Sequence, residues 1–308
     1  MRLVSTFEKF IRLNEGGAAI KSSKSIREDE FPATFESIKT ILFPILGIDP
    51  DSKDFLIIGS VGKKPSPSDV SGDLDLGFDW EKVSKKIGYS GKKETLTALY
   101  DILKKILPEF LKFDPEMNLM IGLNVLSIGW PIKGNPEYGV VQLDLIPLSD
   151  LDWAKFAYYS PDYKKGESKY KSAHRNWLFQ AILSAMTEVE SKDDQGLPLD
   201  INTYAFDFSD GLFKSKKTYQ GVRGRLKTPT KVADSQRELV TNNPQDFLNF
   251  AMGPGFSPDE VKTFEDLLKA IKSPKFRDKQ NRSKIKEEFK RYLERTPLIM
   301  PSEIDTLD

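Results

Sequence analysis

The sequence predicts an α/β fold of the α+β kind: a small mixed β-sheet flanked by helices, followed by a mainly helical domain. Three observations carry this. Apolar runs of strand length and strand period fall at residues 55–58, 73–78 and 118–147, with helical patterns between them. Beyond residue 150 the helical period takes over. The chain has 308 residues, 39% of them hydrophobic, which is enough for one large or two modest cores. The expected division is an N-terminal helix and loop over 1–30, a sheet domain over 31–155 and a mainly helical domain over 156–308.

Taken in order, Leu3, Phe7, Phe10 and Ile11 share one face of a short helix that Gly16-Gly17 ends. Phe35, Ile38, Ile41 and Leu42 mark a second helix, starting near Pro32 and stopping by Pro44. Phe55–Ile58 reads as a buried strand and Asp73–Phe78 as the next. Leu96, Leu99, Leu103, Ile106 and Phe110 form the stripe of a helix over 94–111, which Pro108 kinks or ends. Asn118–Ile128 and Tyr138–Pro147 form a hairpin or meander, and Asp144 points away from Leu143 and Leu145. A strong helix follows over Ser168–Val189, then a charged loop over 191–200 and irregular or short strands over 201–232. Ser257-Pro258-Asp259-Glu260 is a capping box that starts a helix running to about Ile271, and Lys284–Arg295 is the last helix.

Composition excludes several chemistries. With no cysteine there are no disulfides, thiol nucleophiles or zinc thiolates. The single histidine, His174, excludes multi-histidine metal sites. A metal must therefore sit on carboxylates, which points to a hard ion, Mg²⁺ or Mn²⁺. No apolar run is long enough to span a bilayer. The first residues have charges inside their apolar pattern and no small-residue cleavage site, unlike a signal peptide. The expectation is a cytoplasmic protein. Net charge is zero, but Lys214–Lys231 holds seven basic residues and no acid, and Lys272–Arg295 holds ten against four. These are local anion-binding candidates within a neutral chain.

The segment FLIIGSVGKKPSPSDVSGDLDLGF, Phe55–Phe78, carries the chemistry. Its apolar run ends in Gly59-Ser60. Asp73 and Asp75 then alternate with Leu74, Leu76 and Phe78, so both carboxylates share one strand face. Two like charges there repel, and a divalent cation removes the penalty. An EF-hand would need a ligand where Gly77 stands and a Gly where Phe78 stands. A phosphate-binding P-loop would need Gly at Ile57 and Ser or Thr at Lys64.

Gly59-Ser60, Asp73-Leu74-Asp75 after a twelve-residue spacer, and Leu143-Asp144-Leu145 together resemble the DNA polymerase β-like nucleotidyltransferase superfamily. The resemblance covers roughly residues 30–150, and the layout with its basic helical tail is similar to nucleotidyltransferases of viruses and mobile elements. It implies a catalytic domain that transfers a nucleoside monophosphate from an NTP to an acceptor hydroxyl with two Mg²⁺ or Mn²⁺ ions. Asp73, Asp75 and Asp144 are the implied metal-binding and catalytic residues. Asp144 would complete the second metal and help deprotonate the acceptor. Gly59 would let backbone approach the triphosphate, and Ser60 would donate to it beside the N-terminus of a following helix. Lys63 or Lys64 would add positive charge there, and Lys171 and Arg175 on a later helix are further nucleotide-binding candidates.

The acceptor stays open between RNA or tRNA ends, a small molecule, a protein hydroxyl and a second nucleotide. The follow-up motif of tRNA CCA-adding enzymes is not evident. The Lys214–Lys231 run, with Tyr219 and Arg223, offers a backbone grip with an aromatic for stacking. A non-catalytic nucleotide- or RNA-binding module, antitoxin-like on the same fold, is the alternative, and a nucleic-acid binder driven by the two basic segments is a third. Trp153, Phe156, Tyr158 and Tyr159 form an aromatic cluster better suited to a core than to a nucleobase.

Overall fold

The structure is a computed structural model that describes residues 19–111, 114–122, 124–192, 198–218 and 237–307. The expected helix around Leu3–Ile11 and the basic run beyond Thr218 lie outside the described residues. The chain divides into two units. The first comprises the residues through Leu151 together with Tyr158–Lys169, and the second comprises Asp152–Ala157 together with Tyr170 onward. This differs from the division expected at 155/156, because the chain crosses between the units at 151/152, 157/158 and 169/170.

In the first unit the order is β1 (Ile26–Arg27), α1 (Phe31–Leu46), β2 (Phe55–Ile58), β3 (Val70–Ser71), β4 (Asp73–Asp79), α2 (Trp80–Ile87) and α3 (Lys92–Leu111). There follow α4 (Pro115–Asn118), β5 (Leu119–Ile121), β6 (Leu126–Pro131) and β7 (Val140–Leu148). Five strands form one mixed sheet in the order β2-β4-β7-β6-β5, and β1 pairs with β3 apart from it. Only β4 and β7 of that sheet run parallel. A parallel pair needs a long crossover, which α2 and α3 supply.

The core explains the arrangement. Leu74, Leu76 and Phe78 from β4 and Val141, Leu143 and Leu145 from β7 are buried with Leu42, Leu46, Leu99 and Leu103 from the helices. One sheet face is thus covered by helix. The residues that alternate with them, Asp73, Asp75 and Asp144 among them, belong to the other face. The aspartate that closes β4 serves the helix that follows. Asp79 Oδ1 accepts the N–H groups of Glu81 and Lys82, at 3.0 and 3.1 Å, and caps α2.

One proline expectation is corrected and another is resolved. Pro44 lies inside α1, which runs on to Leu46 and closes at Gly47, with φ 68°. Pro108 lies inside α3 without ending it, and the helix runs to Leu111 as expected. In each, the buried leucines beyond the proline, Leu46 and Leu111, keep the last turn on the core, which offsets one lost backbone bond.

The second unit takes α5 (Leu151–Ala157, from Asp152), α6 (Ser172–Ala185), β8 (Glu188–Lys192), β9 (Pro198–Asp207), β10 (Gly211–Thr218), β11 (Arg237–Thr241), α7 (Pro244–Met252), α8 (Phe264–Lys272) and α9 (Arg282–Leu293). Helix outweighs strand among the described residues of this unit, as expected, and the residues expected as a charged loop and short strands contribute to a four-stranded antiparallel sheet, β11-β10-β9-β8. Its strands read as irregular in sequence because Lys214 and Lys216 interrupt the apolar pattern, while Leu212 and Phe206 are buried. The expected Ser168–Val189 helix is shorter at both ends, and Val189 belongs to β8. The capping box at Ser257 and Glu260 is present, but it starts a short 3₁₀ turn. A second box, Thr263 with Asp266, starts α8. Trp153 and Phe156 pack with Phe206 and Phe247 inside this unit, as core rather than as a base platform.

Candidate metal centre

The three aspartates meet because register puts them in line. Asp75 of β4 stands directly opposite Asp144 of β7, and Asp73 stands opposite Gln142. On the far side Asp144 stands opposite Ser127 of β6. Each of Asp73, Asp75 and Asp144 offers a carboxylate oxygen within 4.8 Å of the others. Asp144 is buried, and Asp73 and Asp75 are half-buried. The Oδ1 of Asp75 is closed off from solvent and accepts no hydrogen bond. Such an oxygen is costly to bury unless something cationic satisfies it.

Electrostatics describes the same strain. Burial, and then the charges of Asp73 and Asp144, push the Asp75 carboxyl well above the ordinary aspartate range. Burial also pushes Asp144 up, and hydrogen bonds from Ser127 and Gln142 partly oppose that shift. Three converging carboxylates, of which Asp75 and Asp144 have their proton affinity raised, are a donor set for a hard cation, and the cluster could bind a metal ion.

Gly59 forms the wall beside it. It follows Ile58, which pairs with Asp75, and turns the chain with φ +79°. A Cβ there would stand 3.3 Å from Asp75 Oδ2. The left-handed backbone and the close approach both call for glycine. Ser60 follows, half-buried. The helix expected after it is not there: residues 61–69 are turn and loop, and the next helix is α2, after β4. The spacer is held by side chains instead. Glu28 accepts the N–H of Gly62 at 3.1 Å, and Lys164 Nζ donates to the carbonyl of Gly62 at 2.9 Å.

Lys63 differs from its expected role. Its ammonium donates to the carbonyls of Gly59, at 3.1 Å, and Ser160, at 3.2 Å. Burial lowers its pKa, against the pull of Asp162 and Glu167. The side chain braces the loop from behind. Lys64 donates to the carbonyl of Val70.

Arg175 is a second correction. It is 1% exposed, and its guanidinium donates to the carbonyls of Val261 at 2.7 Å and Phe156 at 2.8 Å while lying over the Phe156 and Phe179 rings. It is a core residue of the second unit, where its bonds satisfy buried carbonyls. Lys171 is exposed at the N-cap of α6. His174 is buried with its ring nitrogens against the carbonyls of Lys171 and Ile299, and burial lowers its pKa.

Sequence reasoning missed Gln142, Ser127, Glu28 and Lys164. Gln142 had a legible signal: it stands two residues before Asp144, on the same strand face. The others reach the site through long-range pairing, which leaves no local pattern. No protein-family model matches the chain, and no curated protein is significantly similar to it. Among the described residues no helix is long and apolar enough to cross a membrane.

Proposed function

We propose that the protein is a metal-dependent nucleotidyltransferase that moves a nucleoside monophosphate from an NTP to an acceptor hydroxyl, releasing pyrophosphate. One observation carries the reading: Asp73, Asp75 and Asp144 converge within 4.8 Å beside a left-handed Gly59, with a buried Asp75 oxygen that accepts no hydrogen bond. Asp73, Asp75 and Asp144 would hold the metal ions. Mg²⁺ or Mn²⁺ bound there would supply Lewis-acid stabilisation of phosphoryl oxygens. Asp144, whose proton affinity is raised by burial, takes the proton of the acceptor hydroxyl at its carboxylate. The Gly59-Ser60 turn brings backbone and a hydroxyl to the phosphates. Bracing by Lys63, Glu28 and Lys164 sets that turn before substrate arrives, which lowers the ordering cost in the transition state.

The proposed acceptor is an RNA end. Its support is the seven cations without an acid between Lys214 and Lys231. The ten basic residues of Lys272–Arg295 offer less, since Lys284, Arg282 and Lys290 are bound to Ala185, Ile271 and Asp305.

The test is label transfer from each of the four α-labelled NTPs into RNA, protein and small-molecule fractions with Mg²⁺ or Mn²⁺. The expected result is transfer that falls about 10³-fold in the Asp73→Asn, Asp75→Asn double variant, equivalent to ~4 kcal/mol. Transfer unchanged in that variant, or absent from the wild-type protein with every nucleotide, overturns the reading.

A further inference from the structure

Gln142 precedes Asp144 by two residues on β7, and its side chain is fully buried. Its Nε2 donates to both carboxylate oxygens of Asp144, at 3.0 Å each. Its Oε1 accepts the N–H groups of Ala19 and Ile20, at 3.0 and 3.1 Å. These partners fix which way the amide points. Two N–H donors require an oxygen, and a carboxylate requires the amino group. The flipped amide would set donor against donor and acceptor against acceptor.

The backbone that supplies the two N–H groups is itself anchored. Ser22 Oγ donates to Asn118 Oδ1 at 2.9 Å, and the Lys24 N–H donates to the Val140 carbonyl at 2.9 Å. Asn118 occupies the space over Gly129, where a Cβ would come within 2.6 Å of its Oδ1. Gly129 is the β6 residue opposite Gln142. Residues 19–24 thus lie along the acidic face of β6 and β7, tied at both ends and joined to Asp144 through one amide.

We propose that Gln142 is a positioning residue of the metal centre and that residues 19–24 are the strut that aims it. The inference rests on the reading of the three aspartates as a metal centre. Asp73 and Asp75 share one strand, so its register sets their spacing. Asp144 comes from another strand, and its carboxylate must be turned towards them. The strut achieves this with backbone donors that hold Gln142, and Gln142 grips both Asp144 oxygens. Outer groups that orient a metal ligand raise affinity about 10- to 100-fold.

The experiment measures Mn²⁺ binding by loss of the free-ion electron paramagnetic resonance signal, with full-length protein and no nucleotide. Gln142→Met keeps the volume and removes both sets of bonds. Ala19→Pro removes one N–H from the strut and touches no ligand. Val141→Ala is the control: it opens the core on the opposite face of β7 and lowers the melting temperature. The expected result is Mn²⁺ binding by the wild type that Asp75→Asn abolishes. Gln142→Met weakens it about tenfold or more, Ala19→Pro weakens it in the same direction, and Val141→Ala leaves it unchanged. Wild type that binds no Mn²⁺ overturns the metal centre and this inference with it. Wild type that binds, with Gln142→Met unchanged, overturns the positioning role alone. A loss in Gln142→Met with none in Ala19→Pro overturns the strut. If Gln142→Met does not fold, Ala19→Pro decides: weakened binding supports the relay and unchanged binding overturns it.

Discussion

Asp75 is the residue where binding and stability oppose each other. Its carboxylate lies between Asp73 and Asp144, and its pKa is raised by burial and by both neighbours. The free unfolded side chain titrates near ~3.9. A folded pKa above the unfolded one means that folding takes up protons, so the metal-free protein loses stability as pH rises from about 4 through the raised value. Asp75→Asn removes the charge and keeps the shape. It should stabilise the metal-free protein by about 1–2 kcal/mol at neutral pH, less at acidic pH, and abolish divalent-ion binding. Thermal melts in chelator across pH 4.5–8 check this. A variant no more stable than wild type at pH 8 would sink it. The pair Asp73 and Asp75 was legible in sequence because strand alternation is a local property. Asp144 was legible as a strand residue facing away from the core. That it stands opposite Asp75, and not a residue earlier or later, is a fact of pairing that no local pattern holds.

Among the elements, the Gly59–Lys63 turn shows how a motif can be present with its parts reassigned. Gly-Ser after a strand was visible in the sequence, and so was the need for close backbone approach. The helix expected to follow is replaced by a braced loop, and Lys63 faces carbonyls. A lysine carries no local mark that separates a phosphate ligand from a brace. Gly59→Ala tests the turn. The positive φ costs about 1–2 kcal/mol with a Cβ, and the Cβ presses on Asp75 Oδ2. The expected outcome is a modest fall in melting temperature with several-fold weaker Mn²⁺ binding, measured by calorimetry and titration on the same sample. Unchanged binding would show that the turn and the carboxylates are independent. Arg175 was misread for a related reason. Basic residues on a helix are usually solvated, and only the packing of Phe156, Phe179 and Val261 makes this one internal.

The whole molecule is two units built from alternating segments of one chain. Trp153, Ala154 and Phe156 are core of the second unit, yet Ser160 and Lys164, a few residues later, brace the first. A boundary drawn by composition cannot see this, because the crossing segment is short and mixed in character. Cutting at 155/156 would remove Trp153 from one core and the braces from the other. Loss of one buried large aromatic alone costs about 3–5 kcal/mol. Separately produced 1–155 and 156–308 chains should each melt well below the full-length protein or aggregate, as scanning calorimetry and size-exclusion chromatography would show. Two halves as stable as the intact chain would refute the alternating division. The α+β class and a small mixed sheet were legible in the spacing of apolar residues, although Asn118–Ile128, read as one arm of a hairpin or meander, holds β5 and the start of β6. The second sheet was not, since its strands interleave lysine with aromatic residues and bury one face.

The seven residues of β4 hold three aspartates with two roles, since Asp73 and Asp75 belong to the acidic cluster proposed to bind a cation and Asp79 seats the first turn of α2. A slip of one position would swing Leu74 and Leu76 outward and carry both acids into hydrocarbon, whereas the Asp79 cap, made within residues 79–82, does not depend on strand pairing. Chemistry and architecture therefore fail together on this strand. A chain that has buried Leu74 and Leu76 has already set Asp73 and Asp75 on the opposite face.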